Sequence, residues 1–333
     1  MNKTIIVGSA AATCIQASEC TITGKPIFTF ELEYPRPIHA QLLTHKMFSK
    51  NSSSTRAVPL EAAIQQIIGN PAQYLWTANQ SGMQGAVVTD MATLDKAEGV
   101  HLDAMTNAIA SAREHAENGI HKQNAGRLLE PFQNIKIVLT ATEFENWDWL
   151  RIHEDAQGEI ADLARAMKEA RDTAEIMLLN SGEWHVPYVE RVRLTSDDPN
   201  YSGIEDEIYY CTRDDNGYPI RLTVDEAKLV SSSVCAQISY RKADTSLIKA
   251  VKMRGMLIDG HKVHASPFEH QATPISPYTE ADIGVSSTND PYDFDTWEKG
   301  ITHIRRDGTF GSGNFIGWVQ HRQLIPRHDK AMF

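Results

Sequence analysis

Residues 26–43, PIFTFELEYPRPIHAQLL, alternate apolar and polar side chains and then shift to the spacing of a short helix. A strand running directly into a helix is therefore predicted. The next residues, 44–56, read THKMFSKNSSSTR and are almost free of apolar side chains. A hydroxyl-rich turn on such a rigid base can aim backbone N–H groups, hydroxyls and the Arg56 fork at one anion, as a phosphate site requires. The same letters also describe a solvated serine-rich loop. The interleaved His45, Lys46, Asn51 and Arg56 favour a held ligand.

The rest of the chain supplies elements around that stretch. IIVG opens the chain as a strand, and PLEAAIQQIIGNP from Pro59 has helical spacing until Gly69, Asn70 and Pro71 stop it. An amide- and aromatic-rich loop, residues 74–85, precedes a long helical region ended by Gly119, whose alanines predict close helix packing. IKIVLTA reads as a strand followed by two helical patterns, with Arg127 and Arg151 at element edges. Residues 196–222 are acidic and hairpin-like, with Asn216-Gly217 as the turn signal. Thr223 to Glu226 is a capping box opening a helix that runs to Ser239, and residues 246–260 form another helix. Residues 274–296 read as a long loop, and 311–326, GSGNFIGWVQHRQLIP, return to helical spacing. The fold class is α/β (α+β), with residues 1–195 and 223–333 packed into one fold around the 196–222 insert.

A formal charge of -11 argues against a polymeric nucleic acid partner, which needs a basic face. Any phosphate bound is a small one met by local arginines. Cys14, Cys20, Cys211 and Cys235 have neither CxxC spacing nor a secreted framework, so reduced thiols and a cytoplasmic home are expected. No stretch is long and apolar enough to span a membrane. There is no GxGxxG after a strand, no GxxxxGK[ST] and no Pro-Cys-His nucleophile, and the spacing of His261, His264 and His270 does not suit a metal. Phe268 and Pro267 read as core and His270 as a hydrogen-bonded structural histidine.

Three blocks together resemble the flavin-dependent thymidylate synthases, the ThyX family, most closely its longer phage-type members. The family signature, an Arg-His-Arg followed by a serine, an asparagine and a Ser-x-Arg, corresponds here to Thr44-His45-Lys46, Ser49, Asn51 and Ser54-Thr55-Arg56; both flanking arginines differ. RLLEP, ENWDWLR and AQGEI resemble the family's C-terminal half. SVCAQISY and HASPFEH resemble its N-terminal half but follow the signature instead of preceding it, so the resemblance implies a circularly permuted order around a central sheet flanked by long helices.

What the resemblance implies is specific. His45, Lys46, Asn146, Ser239, His264 and Ser266 would face FAD, with His264 and Ser266 also on the folate side. Gln41, Ser54, Arg56, Arg127 and Arg151 would hold deoxyuridylate (dUMP), with Arg151 on the uracil carbonyl; Arg151, Ser54 and His264 form the catalytic group. The implied activity is reductive methylation of dUMP to dTMP with methylenetetrahydrofolate and reduced FAD, NADPH reducing the flavin, in a homotetramer with shared active sites. Two alternatives stand beside it: a phage pyrimidine-nucleotide hydroxymethylase using the same ligands, and a non-catalytic nucleotide-binding relative. Without the resemblance, Arg127 and Arg151 read as surface ion pairs with Glu130 and Glu154.

Overall fold

The structure, a computed structural model, describes residues 3–82, 85–193, 208–214, 216–239, 243–260, 262–276 and 297–329. The acidic start of the 196–222 segment, His261, Tyr240 and most of the 274–296 loop lie outside them. The opening IIVG forms β1 (Thr4–Val7), which turns at Gly8, where φ is +51°, into the long β2 (Ala10–Cys20). β3 (Pro26–Pro35) follows and leads, through one 3-10 turn, into α1 (His39–Leu42), as the alternation predicted. Phe28, Phe30, Leu32 and Tyr34 are buried by this strand.

The hydroxyl-rich stretch is only partly a turn. Its middle is β4 (Ser49–Ser52), an edge strand of the central sheet, between turns at residues 44–48 and 53–57. Serine, lysine and asparagine are weak strand formers, so pairing with a strong neighbour decides the outcome. After α2 (Leu60–Gly69), α3 (Met91–Glu117) and α4 (Lys122–Ala125), that neighbour is β5 (Asn134–Ala141), the IKIVLTA strand. β4 pairs antiparallel with β5 from Ser49 opposite Thr140 to Ser52 opposite Ile137. The sheet order is β1-β2-β3-β5-β4. The alanines of α3 do not pack as expected: among its residues only Met105, Ile109 and Ala112 are buried, against α2 and the 3-10 segment Gly126–Phe132.

α5 (Glu145–Arg151) and α6 (Gly158–Asp172) come next, and α6 lays Ile160, Leu163, Ala164 and Met167 on one face of the sheet. β6 (Ile176–Leu179) then joins β2 in parallel where β1 leaves off. β7 (Glu190–Arg193), β8 (Ile208–Arg213) and β9 (Pro219–Leu222) form a separate antiparallel sheet, with Gly217 at φ +85° in the predicted tight turn. α7 (Val224–Ala236) starts with the reciprocal Thr223–Glu226 capping box but ends three residues before Ser239. Thr223→Ala is expected to cost about 1 kcal/mol of stability, read from the urea midpoint. α8 (Leu247–Leu257) is capped by Ser246.

The C-terminal segment differs from its helical expectation. β10 (Ala272–Pro274) and β11 (His303–Ile304) precede it, and across residues 311–326 β12 (Phe310–Ser312), β13 (Phe315–Ile316) and β14 (Trp318–Gln320) are short strands instead of a helix, followed by a 3-10 turn at His321–Leu324. Gly313 at φ +58° turns β12 into β13, and Gly317 at φ +76° turns the chain into β14, which pairs with β10. Phe315, Ile316, Trp318 and Val319 are all buried, so both strand faces are apolar and the period of two is lost. These strands cover the sheet face opposite α6. Across that seam runs a buried polar chain: Ser18 Oγ to His185 Nδ1 at 2.9 Å, His185 Nε2 to Thr29 Oγ1 at 2.8 Å, Thr29 to Thr140 hydroxyls at 2.7 Å, and Thr140 Oγ1 to His270 Nδ1 at 2.9 Å. His270 is thus a buried, hydrogen-bonded residue, and Pro267 and Phe268 are buried with it. All four cysteines are buried free thiols. No helix among the described residues is long and apolar enough to cross a membrane.

Candidate active site

α5 is fixed on two sides. Trp147 enters the core and meets the His45 ring edge-on at 4.7 Å between centroids. Asp148 pairs with Arg171 at 2.5 Å, and the Arg171 guanidinium lies over the Phe144 ring at 4.3 Å. The last residue of the helix, Arg151, is tied to the hydroxyl-rich stretch: its Nε donates to His45 Nε2 at 3.1 Å and its Nη2 to Thr44 Oγ1 at 3.4 Å. Its partners are therefore His45 and Thr44, not Glu154. A guanidinium has five N–H donors. One edge is spent inward, and three N–H groups remain for a ligand.

His45 is 9% exposed, lies nearly parallel to the Phe48 ring, and accepts from a cation. Burial, then the charges of Arg151 and Lys50, push its pKa down to about 4, so the ring is neutral at physiological pH. Because Nε2 accepts, the proton sits on Nδ1. Lys50 closes the same loop by donating from Nζ to the His45 carbonyl at 2.8 Å; burial and then Lys46 lower its pKa to about 8.

Arg151 opens on a cleft of about 1210 Å³. Gln41 of α1 also lines it and donates to Gln157, whose own amide donates to Glu159 at 3.0 Å. Glu159 is buried and accepts the Leu75 backbone N–H at 3.0 Å, which ties the loop wall of the cleft to the start of α6. Thr44 Oγ1 donates to the Gln41 carbonyl at 2.7 Å.

Ser54 and Ser239 meet elsewhere. The Ser54 N–H donates to Ser239 Oγ at 2.9 Å, and both line a second hollow of about 500 Å³ with Arg36 and Lys136. Arg56 and Arg127 are exposed on 3-10 segments, Thr55–Ala57 and Gly126–Phe132, that pack side by side. His264 and Ser266 are exposed, and the 3-10 turn Ser266–Glu269 packs on β4. Asn146 and Lys46 are exposed, with Lys46 Nζ on the Leu43 carbonyl at 3.1 Å. Within one chain the residues expected to meet dUMP are thus divided: Gln41 and Arg151 at the large cleft, Ser54 at the small hollow. The roles of Thr44 in seating Arg151, and of Gln157 and Glu159 in anchoring the cleft, were not read from the sequence.

Residues 11–174 match the model of the Thy1 family, thymidylate synthase complementing protein. No curated protein matches the chain. The matched span runs from β2 to just past α6, so it contains Gln41, His45, Ser54, Arg127 and Arg151 and leaves out Ser239, His264 and Ser266.

Proposed function

The chain belongs to the thymidylate synthase complementing protein family through residues 11–174, and on that premise we propose that it is a flavin-dependent thymidylate synthase converting dUMP to dTMP. The observation that carries the reading is the Arg151 fork, seated by His45 and Thr44 inside the matched span and opening on a cleft that also contains Gln41. Three free N–H groups in a planar fork suit the carbonyl edge of uracil, where paired donors fix orientation as well as charge. The surroundings fit the ring system of a flavin: the cleft is large and has apolar walls beside polar groups, and Arg151 is its cation toward a ligand, since Arg165 is paired with Asp162 and Glu154, Asp155 and Glu159 also line the cleft. When bound, reduced FAD supplies the hydride that completes the transferred methylene as a methyl group.

The chain's own residues bind and orient. Arg151 draws electron density to the uracil carbonyl, and neutral His45 holds that guanidinium without competing for its charge. The loop held by Glu159 walls the cleft against water. Ser54, Arg56 and Arg127 are proposed for the nucleotide phosphate, with Lys46, Asn146, Ser239, His264 and Ser266 toward flavin and folate. Their separation from Arg151 within one chain supports a homotetramer in which neighbouring subunits complete each site. The C-terminal position of HASPFEH beside β4 supports the permuted order.

The test is direct: the full chain is purified, scanned for flavin absorbance, and supplied with dUMP, methylenetetrahydrofolate and NADPH. Appearance of dTMP is expected. A hydroxymethyl nucleotide, or no flavin uptake from added FAD together with no dUMP binding, would sink the reading. Ser54→Ala is expected to weaken dUMP binding about fivefold, the loss of one hydroxyl contact of about 1 kcal/mol, measured by calorimetry.

A further inference from the structure

Trp149 is 74% exposed, although it stands on one of the best-fixed helices of the chain. Two residues apart on a helix are about 200° apart around its axis, so as Trp147 fills the core Trp149 must point outward. The inward Trp147, the Asp148–Arg171 pair and the Arg151–His45 bond hold α5 from the residues on either side of it. The indole is therefore presented rigidly, and among the described residues it has no hydrogen bond or ring contact.

Its position is not that of an isolated surface residue. Trp149 and Leu150 line the same cleft as Arg151, and Leu75 and Val87 line it from the loop. All four are exposed large apolar residues, at 74%, 42%, 44% and 53%. The loop wall is tied at two points: Glu159 accepts the Leu75 N–H, and Thr77 pairs with Val87 in an isolated bridge. Gly158 at the start of α6 leaves room for the Leu75 side chain, since a Cβ there would lie 2.4 Å from Leu75 Cδ2. An apolar ring and aliphatic side chains lining one cleft, with a guanidinium fork beside them, form a slot for a flat molecule with a polar edge.

We propose that Trp149 is the stacking platform for a fused-ring heterocycle of the flavin or pterin type, which lies in the cleft among Leu75, Val87 and Leu150, beside the Arg151 fork that meets uracil. The inference rests on the proposed activity but adds a residue and a ligand class to it. A two-ring or three-ring system covers the indole far better than a lone pyrimidine, so the platform selects the fused-ring ligand and is indifferent to dUMP. Trp149 is thus a binding residue of the cleft, and its exposed position makes it replaceable without loss of fold.

The experiment uses the full chain with Trp149→Leu and Trp149→Phe. FAD and tetrahydrofolate are titrated separately, following indole fluorescence and the flavin absorbance band, and dUMP is titrated by calorimetry. In the unaltered chain one of the two fused-ring ligands is expected to quench the indole emission and to show the spectral change of stacking. Trp149→Leu should weaken that ligand about tenfold or more, Trp149→Phe should restore most of the loss, and dUMP should bind within about twofold throughout. Which ligand responds distinguishes flavin from pterin. Unchanged affinity for both in Trp149→Leu overturns the platform while leaving the proposed activity intact. Iodide that fails to quench Trp149 in the free protein overturns it as well, because a second copy of the chain then covers the ring. Failure of the unaltered chain to bind FAD, tetrahydrofolate and dUMP overturns both.

Discussion

Arg151→Ala is expected to lower kcat/KM for dUMP by about a thousandfold while the chain keeps its fold and its flavin. The magnitude is that of removing a preorganised donor from a site where charge builds up during reaction. Arg151 is the last residue of α5 and is only half-buried, so truncation opens no core cavity. Its removal leaves His45 Nε2 and Thr44 Oγ1 without their cation, but the space the guanidinium vacates lets water take its place at both acceptors. Arg151→Lys should recover little. An ammonium gathers its three donors on one nitrogen and has no planar paired edge, whereas the guanidinium bonds His45 and Thr44 with one edge and keeps the rest for substrate. His45→Ala should then give a milder defect of the same kind, with an intact guanidinium that has lost its seat. Single-turnover kinetics on flavin-loaded protein separate these cases. Loss of flavin with unchanged dUMP affinity in Arg151→Ala would reverse the assignment of the residue.

The difference between what was legible in the chain and what was not has physical causes. β3, α1, α2 and α7 carry their own signals: alternation, helical spacing, a Gly-Asn-Pro stop and a capping box, all local and all realised. β4 has no such signal, because its strand state comes from β5 and from the C-terminal segment. Gln320 Nε2 and Asn314 Nδ2 both reach Ser49 Oγ, at 3.0 and 3.3 Å, from more than 260 residues away. β12 to β14 were hidden because burial on both faces erases alternation, leaving only the glycines as clues. The site shows the same division. The resemblance marked Arg151, Gln41 and Ser54, but Thr44, which departs from the family pattern, is where the structure adds most. Its hydroxyl accepts from Arg151 and donates to the Gln41 carbonyl, so this position joins two expected nucleotide contacts without carrying a charge.

Acid should unfold this protein well before its carboxylates titrate. His185 and His270 are fully buried, and burial pushes both pKa values down to about 3, with His270 adding a repulsive contribution at His185. The native values lie below the ordinary 6.5, so the unfolded chain binds more protons below that pH. Stability is therefore full above about pH 6.5 and falls as the pH drops toward the native values. At about pH 5 each ring costs about 2 kcal/mol relative to neutrality, or about 4 kcal/mol for the pair, a large share of a typical domain's 5–15 kcal/mol, and His321, pushed down by burial to about 3, acts in the same direction. The hydrogen-bond chain does not offset that cost, because its other members, Ser18, Thr29 and Thr140, are neutral hydroxyls that can turn to accept an N–H but bring no negative charge to a buried imidazolium. Carboxylates with lowered pKa, such as Glu226 at the α7 cap, stabilise the fold above their ordinary 4.5 and add to the loss only at lower pH. Urea midpoints at about pH 7.5 and pH 5 should thus differ by at least about 4 kcal/mol in derived stability, with His321, His39 and His45, also held well below 6.5, adding to the loss. In the variant His185→Gln/His270→Gln, less stable at neutral pH, about 4 kcal/mol of that difference should vanish because an amide does not titrate. An undiminished pH dependence in that variant would place the acid sensitivity outside the seam.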